Sequence, residues 1–190
     1  MEPTYISIGA ALAFAGAALA VLLAALGSVH GAVKIGSASS ALLSKEPKFF
    51  SRLLILTLLP SSQSIYGLTV AFMVLVRLGV LPGAIFIPIT TGAGLSILLL
   101  CLPVGIVGGI SASWQGNIGV NCVNMFAKQD KLFGNSIILI SASEAFVLFC
   151  FLISMLGVLF VGLYPYYYFE PSYVPQAAEN VRQFMAIAVV

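Results

Sequence analysis

The 190-residue sequence predicts an all-α membrane protein: four transmembrane helices, arranged as two duplicated hairpins, that assemble into a ring. Three observations lead there. Hydrophobic residues make up 61% of the chain and charged residues 7%, against about a quarter charged in an ordinary soluble domain. With a mean hydropathy of +1.11, a soluble globular fold is excluded. The apolar sequence also falls into four segments, each long enough for the ~20 residues that a spanning helix needs. Finally, the segments alternate in texture, two rich in glycine, the first of them also in alanine, and two rich in Leu, Ile, Val and Phe.

The first helix is expected from Tyr5 past Val33, with a smaller-residue extension to about Leu43. The second covers Arg52 to Val80 and is interrupted by Pro60, which lacks an amide hydrogen and clashes with the preceding turn. The third begins near Ile85 or Thr91 and runs past Gln115 to about Phe126, with Pro88 and Pro103 in its early half. The fourth covers Leu132 to Leu163. Two short polar links, Ser44 to Lys48 and Lys128 to Lys131, close helices 1–2 and 3–4 into tight antiparallel hairpins. Residues 1–80 and 81–165 are thus one hairpin each, and 166–190 form a tail. The tyrosines around Tyr166 read as an interfacial aromatic belt. Ala177 to Val190 reads as a short amphipathic surface helix, too short to span. The acidic start argues against a cleaved signal peptide, and the first helix is taken as retained.

Charge assigns the sides. Six of the eight basic residues, Lys34, Lys45, Lys48, Arg52, Lys128 and Lys131, flank the two links, leaving Arg77 and Arg182 toward the other face. The positive-inside bias makes both links cytoplasmic and both termini extracytoplasmic. A net charge of +2 with no basic stripe gives no sign of a nucleic-acid partner. Cys101, Cys122 and Cys150 stand singly and read as small buried hydrophobes.

Small residues let helix backbones approach closely in lipid, so helices 1 and 3 are expected inside and the bulky helices 2 and 4 outside, facing lipid. Each chain is then a wedge, and wedges side by side make a ring. The two hairpins also match at an offset of 83 residues: Gly36 falls on Gly119, Lys45 on Lys128, Lys48 on Lys131, Phe50 on Phe133 and Ile55 on Ile138. The same offset puts Glu144 on Ser61, so only the second copy carries a carboxylate.

Glu144 is the single carboxylate between Leu132 and Leu163. A charge at membrane depth costs at least ~2.5–3.5 kcal/mol on insertion scales, so such a residue commonly binds or relays an ion. Helix 2 carries a polar cluster, Leu59-Pro-Ser-Ser-Gln-Ser-Ile-Tyr66, and helix 3 carries Gln115. Pro60 leaves carbonyls near Leu56 to Leu59 short of partners, and Ser62 and Gln63 add a hydroxyl and an amide oxygen at the same level. Counted from the links, Gln63 and Glu144 lie at similar depths, ~16–22 Å along a helix. All these groups offer oxygen. Hard cations such as Na⁺ want several oxygens, whereas a proton needs one carboxylate. For Gln63 and Gln115, interhelical hydrogen bonding as structural glue is the competing reading. Tyr66, one turn beyond Gln63, either holds the Glu144 carboxylate or is an aromatic at a helix interface.

With these residues in view, the chain resembles the four-helix proteolipid of the rotor ring in V-type ATPases, and most of all its sodium-transporting bacterial members. The resemblance covers roughly residues 8–163 and rests on Leu59-Pro-Ser-Ser-Gln-Ser-Ile-Tyr-Gly67, Gln115-Gly116 and Glu144. It implies that Na⁺ is held by the Leu59 carbonyl, the Ser62 hydroxyl, the Gln63 and Gln115 amides and the Glu144 carboxylate, with Tyr66 hydrogen-bonded to Glu144. Ser62 stands where sodium-type members tend to have threonine. Phe149-Cys150 replaces the tyrosine-glycine ending of many proton-type members.

The resemblance further implies a component that is not itself an enzyme. It would form a homo-oligomeric ring in lipid, with a stator membrane subunit and central-stalk subunits as partners. Two rivals remain at the level of the residues: a ring driven by H⁺ alone, and a tetraspan scaffold or pore in which Glu144 is buried packing.

Overall fold

The computed structural model of the chain describes residues 7–81, 86–87 and 89–162. Its helices are α1 (Ile8–Leu43), α2 (Phe50–Leu58), α3 (Ser62–Arg77), α4 (Thr91–Lys128), α5 (Phe133–Ser141) and α6 (Glu144–Phe160). Short 3-10 turns at Pro47–Phe49, Leu59–Ser61 and Asp130–Leu132 complete the described elements. Four continuous stretches are long and apolar enough to cross a membrane: Ile8–Leu43, Pro47–Arg77, Thr91–Lys128 and Asp130–Phe160. The tail after Gly162, where an aromatic belt and a short amphipathic helix are expected, lies outside the described residues.

Of the two starts expected for the third span the structure takes the later, and it alters the second and fourth spans. The third span begins at Thr91 because Thr90, in extended conformation, caps it by accepting the Ala93 amide at 3.3 Å. The fourth span, expected to be continuous, breaks at Ala142–Ser143 although it contains no proline. It ends at Phe160 rather than Leu163, and the second span ends at Arg77 rather than Val80.

The offset of 83 governs the bounds of the elements as well as the residues. Ser7 and Thr90 are both N-caps whose side chains accept the amide three residues on. Phe50–Leu58 maps onto Phe133–Ser141 end for end, and Arg77 maps onto Phe160. The turn at Leu59–Ser61 maps onto the break at Ala142–Glu144, so both outer spans are interrupted at the same level.

Helices α1 and α4 run side by side in the same direction within one chain. A Cβ on Gly116 would lie 2.5 Å from the Gly31 Cα, and one on Gly27 would overlap the Gly109 backbone. Such approach requires glycine on both sides. The outer spans α2–α3 and α5–α6 pack on this inner pair and expose Leu54, Ile55, Phe72, Phe146 and Leu152.

Each end of the outer layer is fastened. At the link end, the Phe126 ring lies 4.7 Å from Phe49 and 5.6 Å from Phe133. The Arg52 guanidinium sits over Phe126 and Phe133 and pairs with Asp130, tying one link to the other. Both partners of that ion pair are about half exposed, so it contributes at most ~1 kcal/mol. At the other end Arg77 donates to the carbonyls of Leu159 and Val161, the latter at 2.9 Å, and so caps α6 from α3.

Candidate ion site between the broken helices

The two breaks bring their loosened carbonyls and side chains to one place. In the second span, Pro60 is buried and removes one helical hydrogen bond. The Leu59 carbonyl accepts from the Ser62 main-chain amide and from the Ser62 hydroxyl at 2.9 Å. In the fourth span, the work of proline is done by α4. Ser111 donates to the Ser143 carbonyl at 3.2 Å, and Gln115 donates to the Ile140 carbonyl at 3.0 Å. The Ser143 hydroxyl adds a second donor to Ile140 at 3.0 Å. Carbonyls at the break are thus satisfied by side chains of α4 and by Ser143 itself. Glu144 becomes the first residue of α6, where a helix N-terminus favours negative charge.

The amides are oriented by one fixed acceptor. A main-chain carbonyl can only accept, so the Gln115 side that faces Ile140 is Nε2. Its Oε1 then faces Gln63 Nε2, which donates to it at 2.9 Å. Gln63 Oε1 is left pointing at Ser62, 3.1 Å from its hydroxyl. Both glutamines are fully buried.

Ser62 Oγ is the hub. It lies within hydrogen-bonding distance of Leu59 O, Gln63 Oε1 and a carboxylate oxygen of Glu144. A hydroxyl has one hydrogen, so it satisfies one of these three acceptors at a time. The cluster is therefore rich in oxygen and short of hydrogen, a condition that a cation or one added proton relieves.

All five oxygen-bearing residues singled out in the sequence, Leu59, Ser62, Gln63, Gln115 and Glu144, meet here. Tyr66 differs. Ser62, rather than Tyr66, donates to Glu144, and the Tyr66 ring lies against Phe151 at 5.3 Å between centroids. Sequence reasoning does not reach Ser111, Ser143 or the Ile140 carbonyl. Their signal is the Ser141-Ala-Ser143 run before Glu144, together with the four-residue spacing of Ser111 and Gln115 on one helix face. No cluster of three or more His, Cys, Asp or Glu side chains suited to a transition metal occurs among the described residues.

Four spanning helices, a glycine-packed inner pair and one carboxylate facing neutral oxygens define a membrane proteolipid of the ion-carrying kind. The family model for the C subunit of ATP synthase matches residues 8–74 and 98–157, one segment in each hairpin. The V-type sodium ATPase subunit K of Enterococcus hirae is 31% identical over 142 residues, which cover 75% of this chain and 86% of that protein. The A-type ATP synthase subunit K of Methanocaldococcus jannaschii is 31% identical over 150 residues, 78% of this chain and 61% of that protein. The chain belongs to the family of the ATP synthase C subunit. It is a multi-pass integral membrane protein, a rotor-ring proteolipid of the V/A type and not the catalytic part of the ATPase.

Proposed function

We propose that this proteolipid carries Na⁺ on Glu144, coordinated by the Glu144 carboxylate, the Ser62 hydroxyl, the Gln63 and Gln115 amide oxygens and the Leu59 carbonyl. Pro60 frees the Leu59 level for this role, and Tyr66 packs the site from the Phe151 side. The single supporting observation is the hydrogen deficit around Ser62: three acceptors compete for one hydroxyl hydrogen. Na⁺ fits such a set because it takes several hard oxygens, and one carboxylate balances its charge. The sodium ATPase protein among the relatives points the same way.

In this reading the two hairpins, residues 1–80 and 81–165, present their links to the cytoplasm and their termini to the opposite side, as the basic residues around the links require. An occupied site is neutral and crosses lipid at low cost, whereas an emptied one does not. Release therefore belongs at a contact with a stator membrane subunit, where a fixed positive charge displaces the ion. Central-stalk subunits at the link end couple the turning ring to ATP hydrolysis or synthesis.

A proton-driven ring is the second reading, and it has its own support. A protonated Glu144 would supply the hydrogen that the cluster lacks. Carbodiimide labelling of the purified ring separates the two, because the reagent attacks a protonated carboxyl. Protection of Glu144 by millimolar Na⁺ near neutral pH is the expected result. Labelling that follows pH alone, indifferent to Na⁺, would overturn the sodium reading in favour of the proton.

A further inference from the structure

We infer that Ser28 of α1 is a positioning residue of the ion site, linked to the Gln63 amide through one buried water.

Ser28 is 4% exposed, and its hydroxyl has no hydrogen-bond partner among the described residues. Other helical hydroxyls turn back on their own helix. Those of Ser37, Thr57, Thr69, Ser96 and Ser136 each donate to the carbonyl four residues earlier. Ser28 makes no such bond to Ala24. Its repeat mate, Ser111 at the offset of 83, likewise leaves its own helix and reaches the Ser143 carbonyl.

The neighbours of Ser28 say where it looks. A Cβ on Gly108 would lie 3.6 Å from the Ala24 Cβ and 3.8 Å from the Gln63 Cβ, so these residues share one level. Side chains lean toward the start of their helix, so the Gln63 amide lies nearer the link than its Cβ does. Helix α1 runs toward the link, and one turn beyond Ala24 on the same face stands Ser28. On that face too, a Cβ on Gly31 would lie 3.0 Å from the Pro60 Cβ. Ser28 therefore faces the wedge between the Gln63–Gln115 pair and the turn at Pro60.

Two further groups there lack partners. An amide nitrogen carries two hydrogens. Gln63 Nε2 gives one to Gln115 at 2.9 Å, and no acceptor takes the other among the described residues, although Gln63 is fully buried. Pro60, for its part, leaves a carbonyl of the preceding turn without its helical donor. One water joins all three, accepting from Gln63 Nε2 and from the Ser28 hydroxyl and donating to that carbonyl. Buried waters typically make about three such bonds. Gln63 is then held from α1 as well as from α4. Its nitrogen is turned inward and its oxygen is left for Ser62 and the ion.

Two measurements on the intact ring test this, and only the second rests on the sodium reading. A structure at a resolution that shows waters should have one within hydrogen-bonding distance of both Ser28 Oγ and Gln63 Nε2. A Ser28 hydroxyl turned onto the Ala24 carbonyl, with no water beside Gln63, would overturn the inference. In Ser28→Ala rings, the Na⁺ concentration that half-protects Glu144 from carbodiimide should rise about fivefold. Ser154→Ala is the control, because its hydroxyl is also buried and unpartnered among the described residues but lies ~15 Å beyond Glu144 along α6. Its half-protection should stay at the parent value. Ser28→Ala rings that match the parent, or that shift no further than the control, would overturn the inference. A parent ring that Na⁺ leaves unprotected counts against the sodium reading alone, and the water beside Gln63 then decides the role of Ser28.

Discussion

Gln115 donates its side-chain amide to the main-chain carbonyl of Ile140 at 3.0 Å, and that one bond decides which way two glutamines face. Because the carbonyl accepts only, Gln115 Oε1 must face Gln63, and Gln63 Oε1 must face Ser62. The oxygen cluster at Glu144 is thus organised from a residue on the far side of the helix break.

Replacing Gln115 by Leu leaves the Ile140 carbonyl with one donor fewer and Gln63 Nε2 unpaired in a buried place. An unsatisfied buried group costs about 1–3 kcal/mol, so the ring should melt at lower temperature. The Na⁺ concentration that half-protects Glu144 from carbodiimide should rise at least about tenfold, the equivalent of 1.4 kcal/mol. Unchanged half-protection would remove Gln115 from the site.

Ser62→Ala removes the hub hydroxyl, and Ser62→Thr keeps it. Half-protection is expected to shift by about tenfold for alanine, a loss of ~1.4 kcal/mol, and to stay near the parent value for threonine. Equal behaviour of the two variants would show that the hydroxyl has no part in binding.

Glu144→Gln keeps the shape of the side chain and removes its charge. Ion-coupled ATPase activity of the assembled motor should be lost while the ring still forms, as seen by its size in detergent. A variant ring that still transports would contradict the assignment of Glu144 as carrier.

Arg77→Met separates stability from binding. Two carbonyls at the end of α6 lose their donor, at ~1–3 kcal/mol for a charge-assisted pair. Arg77 lies 15 residues from Ser62, ~22 Å along the helix, so half-protection by Na⁺ should not move. A change in Na⁺ response would reveal coupling along α3.

Glycine contacts give a further contrast. Gly116→Ala forces a methyl against the Gly31 backbone, and overpacking of this kind costs about 1–3 kcal/mol. A Cβ added at Gly134 would meet nothing within 4 Å, so Gly134→Ala should be neutral or stabilising by ~0.5–1 kcal/mol. Thermal melting of the two variant rings measures the difference.

The sequence made one half of the site legible and obscured the other. Pro60, Ser62 and Gln63 announce a helix interruption because proline removes a donor from its own chain. The break at Ala142–Ser143 has no such local cause. Beside the local Ser143 hydroxyl, Ser111 and Gln115, some thirty residues away, supply hydrogen bonds there that only the packed hairpin provides. The offset of 83 does contain the clue, since Pro60 falls on Ser143. The place of Tyr66 is hidden for a related reason. Spacing puts it on the same face as Gln63, but spacing carries no information about Phe151, which occupies its ring.

On the proposed reading, the single hydrogen of Ser62 can change partners without slowing the exchange of an ion. Turning a hydroxyl about its C–O bond needs no helix to move and no contact in the glycine-packed pair to open. Such rotations take picoseconds to nanoseconds. When an ion departs, the hydrogen can swing from a neutral oxygen to the carboxylate and shield it, then swing back on arrival. The helices can therefore stay rigid, as a part that transmits torque must, while the exchange itself is left to the lightest atom in the site.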